Sequence, residues 1–352
     1  MAKFRVGVVG CGGIANGSHF PAYLLERRAE VVALCDIKPE RAEAARKTLF
    51  HGAKTYTDYK EMLKDESIDY IDICTPNYLH SVIAVDALNA GKHVLCEKPD
   101  AVSVEEALRM KEASERNGKK LMVIRNNRYY GTSFEIKKFA EEGGFGQIYA
   151  GKCGWVRRRG IPGKGGWFTT KAQSGGGPLI DLGVHMIDLA IWFMGNPKPV
   201  SVSGNTFCKF ADNDSVDSPE AKFGDKLENG TFDVEDLAMG LIRFENGAVL
   251  QIEFSCASNI RKEYRFVELR GEKAGLEWID GKAEIFYEEN GKQVNQKVKG
   301  KRTPMAHKVN ISHFIDVLEG AEPIFVPEQG VDMIKILSAI YESAKTGKEV
   351  LL

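Results

Sequence analysis

The strongest constraint on the fold is a regular alternation of short apolar runs with helix-length patterns over residues 1–125. The apolar runs lie at residues 4–10, 30–36, 69–74, 92–96 and 120–124. Helical periodicity fills the intervals between them at residues 14–28, 39–49, 77–90 and 103–117. Strands that alternate with helices of this length are typical of βαβ units with parallel strands. The pattern therefore predicts a doubly wound α/β domain over residues 1–125.

The pattern changes after residue 125. A helix at 132–142 is followed by a strand at 147–157, a glycine-rich loop at 160–177 and an apolar helix at 178–194. Strand patterns separated by turns follow at 198–209, 234–244, 248–258, 263–270, 274–279 and 283–288, and helices at 306–319 and 328–345 come last. This succession predicts an α+β domain over 126–352 with a mostly antiparallel sheet. The polar, aperiodic residues 211–230 are predicted to be a mobile surface loop.

Composition argues against several classes of function. The 48 basic and 49 acidic residues give a net charge of -1, which disfavours a nucleic-acid or anionic-membrane partner. Charges interrupt every apolar stretch before the roughly 18 residues that a membrane span needs, and the first residues carry no signal-peptide core. The 7 cysteines include no CxxC pair, so we expect reduced thiols in the cytoplasm and no metal site.

The first apolar run ends in a glycine motif. Residues 10–15 read GCGGIA, a G-x-G-x-x-A match that follows a strand and opens a helix. Gly10 permits a tight turn, Gly12 lets the backbone approach a pyrophosphate, and Ala15 allows close packing of the helix on the strand. A helix N-terminus also attracts phosphate groups. The motif predicts a dinucleotide site that includes Gly10, Gly12, Gly13 and Ile14, the alternative being a plain glycine turn.

An acidic residue, Asp36, ends the second apolar run, about 20 residues after the glycine motif. An acid in this place accepts hydrogen bonds from the ribose hydroxyls of NAD and repels the 2′-phosphate of NADP. Lys38 lies near enough to soften that repulsion, and Asp36 could instead cap the helix at 39–49. The sequence therefore favours NAD over NADP.

Further candidates for the cofactor site follow later strands. Loops beyond the carboxyl ends of parallel strands face the ligand crevice of such domains. Thr75, Pro76 and Asn77 follow the run at 69–74, with His80 three residues on, where it could reach a phosphate or ribose. Asn77 could instead be a helix cap, and His80 an ordinary surface histidine. Asn126, after the run at 120–124, is a further candidate to line this site.

The helix at 178–194 carries an unusual polar stripe. Nearly all of its residues are apolar, so the helix is expected to be buried. The exceptions, Asp181, His185 and Asp188, are spaced so that they share one face. Because unpartnered polar groups are costly to bury, the stripe needs a polar neighbour such as a substrate cleft. An internal Asp–His hydrogen bond is the alternative explanation.

A lysine stands at the carboxyl end of the run at 92–96. The segment Cys96-Glu97-Lys98-Pro99 places Lys98 at the same predicted edge as the glycine motif. A lysine there could donate a hydrogen bond to a substrate hydroxyl, although a solvated surface lysine is the alternative.

Taken together, these segments resemble the Gfo/Idh/MocA oxidoreductase family over essentially the whole chain. The resemblance rests on GCGGIA at 10–15, TPNYLH at 75–80, AGKHVLCEKP at 90–99, GGGPLIDLGVHMIDLAIWFMG at 175–195, and the stretch from HFIDVLEG at 313–320 to SAKTGKEV at 343–350. It implies an N-terminal Rossmann domain and a C-terminal domain with a large open sheet. In this family that sheet commonly forms a dimer or tetramer interface, so a homodimer or homotetramer is expected.

The resemblance also implies roles for the matching residues. His185 would be the general base or acid on a reacting hydroxyl, and Asp181 would orient it. Lys98 would hydrogen-bond that hydroxyl and the nicotinamide ribose, with Glu97 beside it at the cofactor site. The implied reaction transfers hydride between a sugar or polyol hydroxyl and NAD.

Substrate contacts are predicted on three side chains. Arg157, in the arginine run 157–159 at a strand end, could hold a polar or acidic sugar if it faces the crevice, or could lie on a solvated sheet edge. Trp167 could stack on a sugar ring or nicotinamide, or simply anchor its loop. Arg128 is the third candidate.

Two other functions are compatible with this family resemblance. One is an NAD-dependent glycosidase that oxidises a sugar transiently and eliminates the aglycone, and the other is a non-enzymatic NAD-binding regulator. A regulator is expected to lack the catalytic trio, yet Lys98, Asp181 and His185 are all present. The presence of this trio favours an enzyme over a regulator, whereas the sequence does not separate the dehydrogenase from the glycosidase.

Overall fold

The computed structural model describes residues 3–212, 224–303 and 305–352. The chain forms two compact units, the first from Met1–Asn126 and Pro304–Val331 and the second from Asn127–Thr303 and Asp332–Leu352. The sequence predicts a boundary between residues 125 and 126, and the first of these segments ends at Asn126. The segment 304–331, however, belongs to the first unit rather than to the predicted domain 126–352.

The first unit is built on a parallel six-stranded sheet in the order β3-β2-β1-β4-β5-β6. Its strands are β1 (Phe4–Val9), β2 (Ala29–Cys35), β3 (Lys54–Tyr56), β4 (Tyr70–Ile73), β5 (His93–Cys96) and β6 (Leu121–Val123). The strand order reverses between β1 and β4, which is where ligands bind in open α/β sheets. The predicted doubly wound domain is confirmed. The strand β3 was not predicted, because it is short, mostly exposed and carries no apolar run.

Helices connect these strands as the sequence predicts. They are α1 (Phe20–Leu25), α2 (Pro39–Thr48), α3 (Tyr59–Leu63), α4 (His80–Asn89) and α5 (Val104–Asn117). A π-helical turn, Ala15–His19, precedes α1, and a 3₁₀ turn, Asn77–Leu79, precedes α4. Ser103 caps α5, because its hydroxyl accepts a hydrogen bond from the amide of Glu106 at 3.3 Å.

The helix α9 (Ala306–Leu318) also packs within the first unit. Arg28 donates hydrogen bonds to the carboxylates of Asp316 at 2.6 Å and Glu319 at 3.0 Å. The ring of Phe314 meets Tyr70 edge-on, with centroids 5.2 Å apart. Charge pairing and aromatic packing thus attach α9 to residues far earlier in the chain, a contact that no local pattern could reveal.

The second unit is built on a nine-stranded sheet in the order β14-β13-β12-β11-β7-β10-β9-β8-β15. Its strands are β7 (Ile148–Val156), β8 (Pro199–Phe207), β9 (Leu237–Phe244), β10 (Val249–Ser255), β11 (Tyr264–Gly271), β12 (Ala274–Ile279), β13 (Lys282–Glu289), β14 (Lys292–Lys297) and β15 (Val350–Leu351). Every pairing is antiparallel except that of β10 with β7. The expected large, mostly antiparallel sheet is confirmed. The strands β14 and β15 were not predicted, because one is polar and the other has two residues.

The helices of this unit are α6 (Gly131–Glu141), α7 (Lys171–Ser174) and α8 (Val184–Phe193), and α10 (Pro327–Thr346) begins in the first unit and continues in the second. A π-helical turn, Leu179–Gly183, leads into α8. Among the described residues, one helical stretch, Lys171–Phe193, has the length and composition of a membrane span. Its most apolar window is 83% buried inside the protein, as a core helix would be.

The glycine-rich loop at 160–177 is held by backbone contacts. The amide of Leu227 donates to the carbonyl of Lys164 at 3.1 Å, and a Cβ on Gly165 would lie 2.1 Å from the carbonyl oxygen of Leu227. Residues 224–230 are exposed, as expected of a surface segment at 211–230, and their backbone contacts this glycine-rich loop. The predicted mobility of this segment stays a prediction. The rest of that prediction, at 213–223, lies outside the described residues.

Candidate active site

The glycine loop of the first unit has the backbone that a dinucleotide requires. Gly10 has φ +95°, and a Cβ there would lie 2.5 Å from the carbonyl oxygen of Cys74, so only glycine fits. A Cβ on Gly12 would meet nothing nearer than the Arg41 guanidinium at 3.8 Å, which leaves room for an approaching ligand. The Asn16 side chain donates to the carbonyls of Cys11 and Gly12, both at 2.8 Å. Gly13 and Ile14 then begin the helical residues, so this loop leads into a helix N-terminus.

Asp36 is buried beside this loop and supports it. One carboxylate oxygen accepts the amide of Cys11 at 2.8 Å, and the other accepts the amide of Lys38 at 2.9 Å. The capping position of α2 belongs to Lys38, so Asp36 orders the segment before that helix rather than capping it. Each carboxylate oxygen keeps a further lone pair, which leaves Asp36 able to accept from a ribose hydroxyl.

The loops after β4 and β6 present polar atoms that have no hydrogen-bond partner among the described residues. These buried atoms are Thr75 Oγ1 and Asn126 Oδ1. Pro76 introduces the 3₁₀ turn that starts at Asn77, and the Asn77 side chain is itself buried. Because buried polar atoms normally have partners, Thr75 and Asn126 fit a ligand that brings its own polar groups. Together with the glycine loop, these atoms meet the requirements of a bound NAD.

His80 has a different place from the one expected. The ring is fully buried, with Nδ1 2.7 Å from the carbonyl of Pro99 and Nε2 2.9 Å from the carbonyl of Thr75. Burial lowers the pKa of His80, although the two carbonyl oxygens act in the opposite direction. His80 thus ties the loop after β4 to the turn after β5. The ring nitrogen that carries the proton donates to its carbonyl, which gives His80 a structural role; its predicted contact with a phosphate or a ribose stays a prediction.

Glu97 lies at the centre of a buried polar cluster next to Lys98. One carboxylate oxygen of Glu97 is 2.9 Å from Nε2 of His19 and 3.3 Å from Nε2 of His307, and the other accepts the amide of Lys98 at 3.1 Å. Burial alone would raise the pKa of Glu97, but hydrogen bonds from His19 and His307 hold it well below its ordinary value. Glu97 therefore orders the turn that carries Lys98.

The second unit carries the predicted stripe on the helix at 178–194. Between Gly176 and Ala190 every residue is buried except Asp181 and His185, which are half-buried. Asp181 lies in the π-helical turn and His185 in the first turn of α8, so this wide turn separates them. Turns of this type are frequently found at functional sites. Asp181 and His185 are thus the polar, accessible positions of an otherwise buried helix.

An aromatic and cationic surface surrounds His185. The ring of Trp155, on β7, lies 5.8 Å from the imidazole of His185. The guanidinium groups of Arg157 and Arg265 lie 4.9 Å and 5.3 Å from the Trp155 ring. Arg157 and His185 thus lie near the same aromatic ring, and the contact of Arg157 with a substrate stays a prediction. Trp155 was not predicted, although its position two residues before Arg157 in a strand was an available signal.

Two other candidates have structural contacts. The buried guanidinium of Arg128 forms a two-point ion pair with the third stripe residue, Asp188, at 2.8 Å and 2.6 Å. This pair places Arg128 in the core of its unit rather than on a substrate surface. Trp167 stacks on Phe168 with ring centroids 3.7 Å apart, which supports the interpretation of Trp167 as a loop anchor.

Glu235 supports the helix that carries His185, and no pattern in the sequence points to it. Its carboxylate accepts the amides of Gly177 and Leu179, both at 3.0 Å, and the hydroxyl of Tyr341 at 2.8 Å. A carboxylate at a helix N-terminus complements the helix dipole. Burial raises the pKa of Glu235, although these three donors act in the opposite direction. Glu235 therefore fixes the start of the turn that contains Asp181.

Comparisons with known families agree with this geometry. Residues 4–125 match the family model described as "Oxidoreductase family, NAD-binding Rossmann fold". Residues 134–277 match the model described as "GFO/IDH/MocA C-terminal domain". The fold and its glycine loop thus define an NAD-dependent oxidoreductase, as the sequence predicts.

Whole-chain relatives are consistent with both models. The D-glucoside 3-dehydrogenase of Escherichia coli (strain K12) is 33% identical over 354 residues, which cover 100% of this chain and 98% of the relative. The levoglucosan dehydrogenase of Pseudarthrobacter phenanthrenivorans is 31% identical over 292 residues, covering 78% and 73%. A solved levoglucosan dehydrogenase, in complex with NADH and levoglucosan, has a TM-score of 0.85 at 24% identity and covers 99% of both chains. The chain belongs to the Gfo/Idh/MocA family, and the expected dehydrogenase class is confirmed.

Proposed function

We propose that this enzyme oxidises a secondary ring hydroxyl of a sugar or glycoside with NAD. The observation that carries the proposal is the surface around His185, where a half-buried imidazole lies beside the Trp155 ring, which the Arg157 guanidinium also contacts. Aromatic rings pack against the apolar faces of sugars, and arginine donates to hydroxyl groups. Relatives named as D-glucoside and levoglucosan dehydrogenases favour the same substrate class.

The proposed roles follow from the chemistry of alcohol oxidation. When bound, NAD accepts hydride from the carbon that carries the hydroxyl. His185 takes the hydroxyl proton, since an imidazole can exchange a proton near neutral pH. Asp181 orients His185, and Lys98 donates a hydrogen bond to the same oxygen. Alcohol and NAD are thus converted to ketone, NADH and one proton, and that proton passes through His185 to solvent.

The direct test is the absorbance of NADH during a screen of purified enzyme against candidate substrates. The panel holds methyl glucosides, levoglucosan, free aldoses, inositols and uronic acids, each with NAD and in parallel with NADP. We expect NADH with a pyranoside, and little signal with NADP because of Asp36. His185→Ala is the matched variant, with NAD affinity near wild type and turnover lower by roughly 10²–10⁴.

Other outcomes would lead to other functions. Cleavage of a glycoside without accumulation of NADH would identify the oxidation-assisted glycosidase. NAD binding with neither NADH formation nor glycoside cleavage across the panel would favour a regulator. Full turnover in His185→Ala would contradict the assignment of His185 whichever function holds.

We also propose that the enzyme is a homodimer or homotetramer assembled through the nine-stranded sheet. One face of β8, β9 and β10 presents apolar side chains that are partly exposed, namely Phe207, Leu237, Met239, Leu241 and Val249. Sheet faces of this kind need a cover, and a second copy of the chain supplies a self-complementary one. Light scattering after gel filtration should give a dimer or tetramer for the wild type and a smaller species for Met239→Glu. A monomeric wild type would refute this assembly.

We further propose that the enzyme works in the reducing environment of the cytoplasm. Its cysteines are free thiols, and all but Cys208 are buried. Such thiols are typical of proteins that never meet an oxidising compartment.

A further inference from the structure

Three side chains of the first unit converge at one point near Lys98. His19 comes from the π-helical turn before α1, Glu97 follows β5, and His307 lies in the first turn of α9. Oε1 of Glu97 is 2.9 Å from Nε2 of His19 and 3.3 Å from Nε2 of His307. The three atoms lie within 4.8 Å of one another. We call this set the His19–Glu97–His307 cluster.

The donor atoms and their spacing match those of a transition-metal site. Two imidazole nitrogens and one carboxylate oxygen form a common ligand set for zinc and similar ions, with bonds of about 2.0–2.2 Å. At such bond lengths, two ligand atoms lie roughly 3.0–3.4 Å apart when the ligand–metal–ligand angle is between the octahedral and the tetrahedral value. The two separations on Glu97 fall close to this range, and the imidazole nitrogens of His19 and His307 lie within 4.8 Å of each other.

The neighbours of the cluster orient its ligands in the way that metal sites require. Asp72 Oδ2 lies 2.7 Å from Nδ1 of His19 and also accepts the hydroxyl of Tyr23 at 2.8 Å. A carboxylate on one ring nitrogen fixes the tautomer, so that the other nitrogen presents its lone pair to a metal. The second oxygen of Glu97 is held by the amide of Lys98 at 3.1 Å.

Charge balance supports an ion at this point. The side chains of His19 and Asp72 are 0% exposed, and that of Glu97 is 6% exposed. Without an ion, the two carboxylates and the two imidazoles of His19 and His307 form a set that is neutral only when both imidazoles are protonated. A divalent cation with two neutral imidazoles and the same two carboxylates is neutral overall. Buried charges are least costly when they are balanced in this way.

We propose that the His19–Glu97–His307 cluster binds one divalent transition-metal ion, with zinc as the best fit to its ligands. Three protein ligands leave one coordination position for water. The ion fastens the Glu97–Lys98 turn to the π-helical turn and to α9, so its role is to position that turn. His307 has a side chain 15% exposed, which provides the route of entry from solvent.

The test measures metal binding on the whole, tag-free protein with NAD present. Protein stripped with EDTA is titrated with Co²⁺ and its visible absorption recorded, and zinc content is then measured by mass spectrometry. We expect about one ion per chain and a spectrum that indicates imidazole ligands. His307→Ala should abolish stoichiometric binding, whereas Asp72→Asn should weaken it by about 10–100-fold because it removes only the orienting carboxylate.

The matched control is His313→Ala, which removes a histidine from the same helix, α9, and should bind metal as the wild type does. Circular dichroism verifies that each variant is folded, and His307→Gln replaces His307→Ala if the latter is not. Equal binding by the wild type and the His307 variant would overturn the proposal, and so would an absence of stoichiometric binding by the wild type. In either case the cluster is a hydrogen-bonded network only. NADH formation is not the readout, so this result is separate from the test of the dehydrogenase.

Discussion

Replacing Glu235 with glutamine tests how the second unit supports His185. Two backbone amides and the Tyr341 hydroxyl share the two carboxylate oxygens of Glu235. Glutamine keeps one oxygen, so its amide nitrogen must face at least one N–H donor. A hydrogen bond to a charged group contributes about 1.5–3 kcal/mol, and an unsatisfied buried donor costs about 1–3 kcal/mol more. Removal of a desolvated charge offsets part of this loss, so we expect Glu235→Gln to lower the free energy of unfolding by about 2–4 kcal/mol.

Two measurements are needed to examine this prediction. Urea unfolding gives the free energy, and steady-state kinetics give kcat, which should fall because the helix that carries Asp181 and His185 loses its anchored start. NAD affinity should be unchanged, since the glycine loop lies in the first unit. Glu289→Gln, at an exposed position, is the control and should change stability by less than about 0.5 kcal/mol. If Glu235→Gln unfolds at the wild-type urea concentration and keeps wild-type kcat, the anchoring argument is wrong.

Three further predictions concern other parts of the molecule. Gly10→Ala should weaken NAD binding by at least about tenfold in calorimetry, because its Cβ would lie 2.5 Å from a backbone oxygen and φ is +95°. Trp155→Ala should raise KM for the sugar by about 3–10-fold, because a stacking contact with the ring contributes about 0.5–1.5 kcal/mol to binding. The fall in kcat should be smaller than this rise in KM, and an unchanged KM would contradict the stacking role. Burial raises the pKa of Glu26, but hydrogen bonds from Arg28 and Ser312 lower this pKa to about 2. The ionised Glu26 carboxylate therefore stabilises the fold above pH 4.5, and this stabilisation is lost as the pH falls towards 2. Between about pH 5 and pH 3, the free energy of unfolding should therefore fall by at least about 1 kcal/mol less in Glu26→Gln than in the wild type. If urea unfolding shows the same fall for both proteins, the low pKa of Glu26 is refuted.

Local patterns were sufficient to predict most of the architecture. The apolar runs at 4–10, 30–36 and 69–74 became strands because burial on both faces of a parallel sheet leaves a continuous apolar signature. The helix at 178–194 was predicted from its composition, and its three polar positions from their spacing. Asp181 and His185 are half-buried, whereas Asp188 is buried in the pair with Arg128. Motifs whose residues are consecutive, such as GCGGIA and the EKP segment, could therefore be recognised from the sequence alone.

What the sequence concealed depends on contacts between distant residues. Glu235 meets Gly177 and Tyr341, and Arg128 meets Asp188, through packing that no window of the sequence contains. His19, Glu97 and His307 are so far apart in the chain that no motif spacing links them, and the cysteine pattern carries no information about this cluster. His80 was assigned to the cofactor from its position alone, because the two carbonyls that engage it come from separate turns.

The return of residues 304–331 to the first unit has a consequence for how such proteins can be recombined. A gene fragment that ends near residue 125 would encode the six strands but omit α9, leaving Arg28 without Asp316 and Glu319 and exposing the Tyr70 ring where Phe314 packs. Exchange of the nucleotide-binding unit between homologues therefore needs three crossovers rather than one. The third crossover falls within α10, so the helical phase across Val331 and Asp332 must be preserved for the chimera to fold.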